Sequence, residues 1–243
     1  MLEKPPYLFV GDGRLAGHLS AYFNLLSISY KRWSRKEGTD FLKAAKGTSK
    51  IILCINDDAI EDFIAQHAPQ LEEKIVWIHC SGSLSTPLAQ GAHPLMTFGE
   101  HTMSVQEYQN IPFITEKGRA NFEELFPELK NPTYEVKADL KNFYHAWCVL
   151  AGNFSTILWQ NFFDVCEKRF EMPRHVAFPY LEKVTEQLQR DATPLTGPLA
   201  RGDAKTVQGH LDSLEGEPFQ DIYAAFVKTF AAINQKDQAD AQH

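Results

Sequence analysis

An excess of positive charge, paired cysteines, long apolar runs and a leader-like start are all missing from this chain, and each absence removes a class of function. With 24 Lys and Arg against 31 Asp and Glu the formal net charge is −7. Nucleic acid or an anionic membrane surface is therefore not the expected partner, because such surfaces are met by clustered basic residues. Any anion must be held locally, by a particular loop. The four cysteines, Cys54, Cys80, Cys148 and Cys166, lie in apolar segments with no CxxC and no Cys/His ligand spacing. That pattern predicts no metal site and a reducing, cytoplasmic setting. The start, "MLEKPPYLF", has no apolar core followed by a cleavage site, so export is not expected. The longest apolar stretch, "HAWCVLAGNFSTILW", contains Asn153 and falls short of the roughly 20 residues that span a bilayer; it reads as a buried helix.

What is present suits a globular protein: 243 residues, 44% hydrophobic, enough for a packed core. In the first half, apolar runs alternate with helical patterns: "YLFV", 14–26, "LSISYKRW", 39–46, "KIILCIN", 57–68, "KIVWIHC", "IPFIT" and 118–129. Alternation of this kind calls for a parallel sheet with helices on both faces. From 138 to 170 the sequence reads as one long helix, and only helices are expected afterwards. Residues 174–190 carry Ala177, Tyr180, Leu181, Val184 and Leu188 on one stripe, Asp203 suits a helix cap, and 219–233 carries a further apolar face. The expected organisation is an α/β domain over 1–135 and an all-helical domain over 136–243.

The stretch "YLFVGDGRLAGHL" is a strand, a glycine turn and a helix, and "GDGRLA" matches G-x-G-x-x-A. In such a turn Gly11 permits the bend, Gly13 admits a diphosphate to the backbone, and Ala16 keeps the helix close to the strand. The free N–H groups at Arg14 and Leu15 open a helix whose start favours an anion. About 20 positions on, where an acid would hold the ribose 2′-OH of NAD, the chain instead reads "KRWSRK". Arg32, Ser34 and Arg35 suit the 2′-phosphate of NADP, which a carboxylate would repel. The same absence of an acid counts against S-adenosylmethionine. A solvated basic loop is the plainer alternative.

Ligands in open parallel sheets lie beyond the carboxyl ends of the strands. The third strand ends in Asn56, Asp57 and Asp58, which either line the cofactor or cap the next helix. The fourth ends in His79, Cys80 and Ser81, and "GAHPLMTFG" adds His93. His79 and Cys80 do not form a nucleophile pair, because neighbours on a strand point to opposite faces. Farther on, Lys141, His145 and Asn153 share roughly one side of the long helix. His145 suits a general acid/base working near neutral pH, with His79 or His93 assisting and Asn153 orienting the substrate. The alternative is that Tyr144 and His145 are a packing pair. Ser81 and Arg201 are candidate substrate contacts, although Arg201 equally suits a pair with Asp203 or a helix end.

The order of GDGRLAGHL, "INDDAI", "HCSGSLS", "AHPLMTF", "YHAWCVLAGN" and "TGPLARGDAKTVQGHL" resembles the Rossmann-like proteins with a DUF2520 C-terminal domain, in the 6-phosphogluconate dehydrogenase C-terminal-like superfamily. The resemblance covers nearly the whole chain. It implies an NADP-binding domain, a helical domain that mediates dimerisation, a cleft between them and oxidoreductase activity. Ketopantoate reductase and the 3-hydroxyacid dehydrogenases, similar in arrangement, place a Lys one turn before an Asn on the interdomain helix. Asn153 matches that Asn, but Val149 stands at the Lys position. Three readings follow, the plainest being a purely structural dimer whose glycine turn holds nothing. One is an NADP-dependent oxidoreductase moving a hydride to or from a small carbonyl, imine or hydroxy acid. Another is a non-catalytic NADP-binding sensor or assembly module. The aromatic helices further predict a homodimer.

Overall fold

The strands are short, and Tyr7–Val10, Lys50–Leu53 and Val76–His79 are mostly apolar, as strands covered on both faces are. The computed structural model describes residues 6–71 and 74–240. Its first half runs β1 (Tyr7–Val10), α1 (Arg14–Leu25), β2 (Tyr30–Trp33), α2 (Phe41–Ala45), β3 (Lys50–Leu53), α3 (Ile60–His67), β4 (Val76–His79), β5 (Gln90–Pro94), α4 (Val105–Gln109), β6 (Phe113–Glu116), α5 (Phe122–Leu125) and β7 (Thr133–Val136). These strands form one sheet in the order β2-β1-β3-β4-β5-β6-β7. All pairings are parallel except β5 with β6. One core layer packs Phe9, Ile52 and Ile78 with Leu19, Tyr22 and Phe23 of α1; the other packs Val10, Ile51 and Leu53 with Phe41, Ile60 and Ile64. Cys80 belongs to the first layer, facing away from His79.

The register of β5 matters most for function. It pairs with only the last two residues of β4, His79 lying opposite Gly91. Ala92, His93 and Pro94 therefore extend past the carboxyl edge of the parallel strands, and β6 returns alongside them with Ile114 opposite His93. The sequence pattern had not predicted β5, β7 or α4. Gly91 and Pro94 break the usual strand signal in β5, and β7 is largely exposed. Helices α4 and α5 begin at complete capping boxes, Ser104 with Glu107 and Asn121 with Glu124.

The expected single helix over 138–170 is instead α6 (Lys141–Cys148), a π-helical stretch over Val149–Phe154, and α7 (Ser155–Lys168). The hydroxyls of Ser155 and Thr156 donate to the carbonyls of Ala151 and Gly152, taking up acceptors that the wider turn frees. Beyond Lys168 the chain turns at Glu171, whose φ is +54°. Then follow α8 (Phe178–Arg190), α9 (Pro198–Arg201), α10 (Ala204–Ser213) and α11 (Gln220–Asp240). Contacts divide the chain into two compact units, one up to Asn161 and one from Phe162 on. In the second unit Phe163, Cys166 and Ala177 are buried, while Tyr180, Leu188, Phe226 and Ile233 remain exposed. Among the described residues no helix is long and apolar enough to cross a membrane.

Candidate functional site

The turn after β1 has little choice of residue. Gly11 has φ +124°, and a Cβ there would lie 2.4 Å from the carbonyl oxygen of Cys54. Its N–H donates to the Trp33 carbonyl at 2.9 Å, and the Cys54 N–H donates to the Val10 carbonyl at 2.8 Å. The turn is thereby held between β2 and β3. Gly13 caps α1 with no side-chain hydrogen bond and no acid in the first turn. A Cβ on Gly13 would meet nothing within 4 Å, so the approach to the helix start is open. Ala16 is fully buried and Leu15 packs on the core, while Arg14 is exposed.

The turn opens into a cleft of about 930 Å³, a size suited to a nucleotide. Gly11, Gly13, Ser34, Arg35 and Asn56 all line it. Asp12, Lys36, Asp58 and Asp62 line it too, and the rings of Trp33, Phe41, Phe63 and His67 form an aromatic wall. Phe41 and Phe63 both pack on His67, with centroids 4.4 and 4.5 Å away. Arg14, Leu15, Ala16, Arg32 and Asp57 are not among the lining residues. Arg32 is exposed on β2. Asp57 turns toward the neighbouring strand end, accepting hydrogen bonds from Ser81 Oγ at 2.5 Å and Ser83 Oγ at 3.1 Å. Ser81 Oγ in turn accepts from the N–H groups of Ser83 and Leu84, so one carboxylate ties two strand ends together.

Next to that tie the histidines gather. His93 Nδ1 lies 2.9 Å from the Tyr144 hydroxyl, and its ring stands 5.6 Å from and perpendicular to that of His145. Gly82 makes room for His145, because a Cβ there would lie 2.3 Å from Nδ1. Among the described residues His79, fully buried, has no hydrogen-bond partner at either ring nitrogen, and His145 Nδ1 is likewise buried and unpaired. Burial first, then the Lys141 charge, lowers His79 to about 4. Burial and then His145 lower His93 to about 4. Both rings are neutral at neutral pH. Burial also raises the Tyr144 hydroxyl, which stays protonated.

Sequence reasoning missed the group that binds this cluster to the sheet. Lys141 Nζ lies 3.0 Å from Glu116 Oε1, with both side chains buried, and it also donates to the Leu84 carbonyl. Ser85 Oγ donates to Glu116 Oε2 at 2.7 Å. The pair rests directly on Gly91, where a Cβ would lie 2.7 Å from Glu116 Oε1 and 2.9 Å from Lys141 Nζ. Burial alone pushes Glu116 up, but the hydrogen bonds from Ser85 and Lys141 and the charges nearby carry it below the ordinary carboxylate value. Burial lowers Lys141 against the opposing pull of Glu116. The available signal was an acid at the end of an otherwise apolar strand, "FITE".

Asn153 is exposed within the π-helical stretch. Over eight residues a regular α-helix overshoots two turns by about 80°. The wider turn takes back part of that drift between His145 and Asn153. Arg201 ends α9 in the second unit and is exposed. Cys54 shares a hydrogen bond with Cys80 that, with burial, raises its thiol. Among the described residues no group of three or more His, Cys, Asp or Glu is placed to hold a metal.

This is a Rossmann-type α/β fold followed by a helical region. Residues 113–230 match the model of DUF2520, a domain of unknown function. A comparison with curated proteins finds no match. Among solved structures, a candidate NADP oxidoreductase of Bacteroides fragilis is similar at 18% identity and TM-score 0.75, over 95% of this chain and 99% of that one. Protein TM1727 of Thermotoga maritima is similar at 21% and 0.65, over 96% and 99%. The pyrroline carboxylate reductase of Plasmodium falciparum, with NADP bound, is similar at 13% and 0.57, over 92% and 95%. At these identities the likeness shows the fold.

Proposed function

We propose that this chain is an NADP-dependent oxidoreductase acting on a small carbonyl, imine or hydroxy-acid substrate. The observation that carries the reading is a single cleft lined both by an open glycine turn at a helix start and by an acid-free strand end bearing Ser34 and Arg35. The P. falciparum structure with NADP bound supports it. When bound, NADP supplies the hydride chemistry. Gly11 and Gly13 keep side chains clear of the diphosphate, whose charge meets the N–H groups of the first turn of α1. Ser34 and Arg35 hold the 2′-phosphate, with Arg32 adding long-range attraction, and Asn56 lines the opposite wall. His145 gives or takes the substrate proton on its imidazole, Asn153 orients the reacting group, and Ser81, His79 and His93 complete a polar wall of neutral rings.

Val149, standing where similar dehydrogenases carry a lysine, favours a second reading, a module that binds NADP without turnover. Calorimetric titration with NADP and NAD tests the first step, and tighter binding of NAD overturns it. With a working substrate, His145→Ala is expected to abolish turnover while keeping NADP affinity. Retained turnover removes His145 from the mechanism.

We also infer a homodimer. Phe143, Trp147, Leu150 and Phe154 make a helical stripe of large apolar side chains, each about half exposed or more. Light scattering is expected to give twice the 27.6 kDa chain mass; the mass of one chain at micromolar concentration refutes it.

A further inference from the structure

The turn that would receive a diphosphate carries a carboxylate, Asp12, between its two glycines. An acid at that position repels the anion that the helix start attracts. The structure supplies its counter-ion from the neighbouring strand end: Lys36 Nζ lies 2.8 Å from Asp12 Oδ2. Register explains the meeting. Val10 lies opposite Trp33, and Gly11 N–H donates to the Trp33 carbonyl, so the glycine turn and residues 34–36 leave the sheet side by side. Both partners line the cleft, and both are solvent-accessible, the Lys36 side chain 82% and that of Asp12 42% exposed. The hydrogen bond from Lys36 holds the Asp12 carboxyl below its ordinary value.

We propose that Lys36 is an exchangeable ligand that pairs with Asp12 in the coenzyme-free protein and leaves it for the 2′-phosphate of NADP, so that Asp12 tunes discrimination between NADP and NAD. This rests on the NADP reading above. A phosphate carries more charge than a carboxylate and three acceptor oxygens. Lysine, a point charge on a flexible four-carbon stem, can follow it without moving the backbone. NAD has no such group, and Lys36 then stays on Asp12. Because Asp12 competes for the ammonium, it lowers NADP affinity more than NAD affinity. Asp12 is therefore a positioning residue and Lys36 a specificity contact, distinct from Arg35, which gives up no ion pair among the described residues.

The test is calorimetric titration of NADP and NAD into the wild type, Asp12→Asn, Lys36→Met and the double variant, each at low and physiological salt. Both positions are exposed, and an unchanged melting temperature confirms that the variants fold. Asp12→Asn is expected to raise the NADP/NAD affinity ratio about two- to fivefold, the range set by breaking one exposed pair. Lys36→Met is expected to lower that ratio about tenfold, with the effect shrinking as salt rises. In the Lys36→Met background the Asp12→Asn effect on the ratio should vanish. An unchanged or lowered ratio in Asp12→Asn, or additive effects of the two substitutions, overturns the exchange while leaving the coenzyme reading intact. A wild type that does not prefer NADP overturns both.

Discussion

Replacing Lys141 with methionine keeps most of the apolar stem and removes the charge, which isolates what the buried pair with Glu116 contributes. In the wild type Glu116 Oε1 receives Lys141 Nζ at 3.0 Å, and Oε2 receives Ser85 Oγ at 2.7 Å with Arg119 farther off at 3.9 Å. Only 1% of the Glu116 side chain and 3% of the Lys141 side chain reach solvent. Taking away one member leaves a carboxylate buried with one hydroxyl and a distant guanidinium, a change that costs about 3–5 kcal/mol. For a chain of this size each kcal/mol moves the melting temperature by about 2–4 °C, so a fall of about 6–20 °C is expected at pH 7. Two controls identify the cause. The deficit should shrink as pH falls, because protonation neutralises the stranded carboxyl, which burial raises once lysine no longer opposes it. The double variant Lys141→Met with Glu116→Leu should recover most of the loss, because a buried pair replaced by apolar groups is close to neutral. Scanning calorimetry and urea unfolding measure both. A single-variant cost below about 1 kcal/mol, or a double variant no better than the single, would show that the pair does not hold α6 to the sheet as argued.

Acid should weaken the fold well before the carboxylates titrate. His79 and His93 sit at about 4 in the folded protein against an ordinary 6.5. The unfolded chain therefore takes up protons first, and stability present above pH 6.5 is lost as pH falls toward 4, by at most about 3 kcal/mol per ring. Urea unfolding from pH 7 to 4.5 checks this, with a shallower slope in His79→Gln; a flat profile contradicts the buried neutral rings. Gly11→Ala forces a Cβ to 2.4 Å from a backbone oxygen at φ +124°. It should cost about 1–3 kcal/mol in stability and weaken NADP binding at least tenfold, while wild-type binding by this variant would detach the turn from the coenzyme.

Signals that act within a few residues could be read directly. The apolar runs, the glycine turn and the basic residues after β2 predict the Rossmann-type sheet and a nucleotide cleft, because a bend without Cβ atoms and a missing acid are properties of local chain. The gathering of His79, His93 and His145 was legible only as three residues expected near strand ends and on one helix. Their contacts depend on β5 starting where β4 stops and on Gly82 yielding space to a ring 63 positions later in the chain. Asp57, read as lining the cofactor or capping a helix, spends its carboxylate on Ser81 and Ser83 instead. For the Glu116–Lys141 pair the acid ending "FITE" was a signal without a visible partner, while Gly91 beneath the pair and the Asp12–Lys36 bridge left no recognisable mark in sequence.

The amino-acid order alone thus determined most of the segments that become strands, where the backbone bends tightly, and that no acid occurs in the basic stretch 31–36. Which charges meet, which imidazoles lose their water, and which carboxylate is turned aside were decided only by the folded chain. Periodicity and turn chemistry act between near neighbours, whereas desolvation and ion pairing depend on groups that the sheet brings together from distant parts of the sequence.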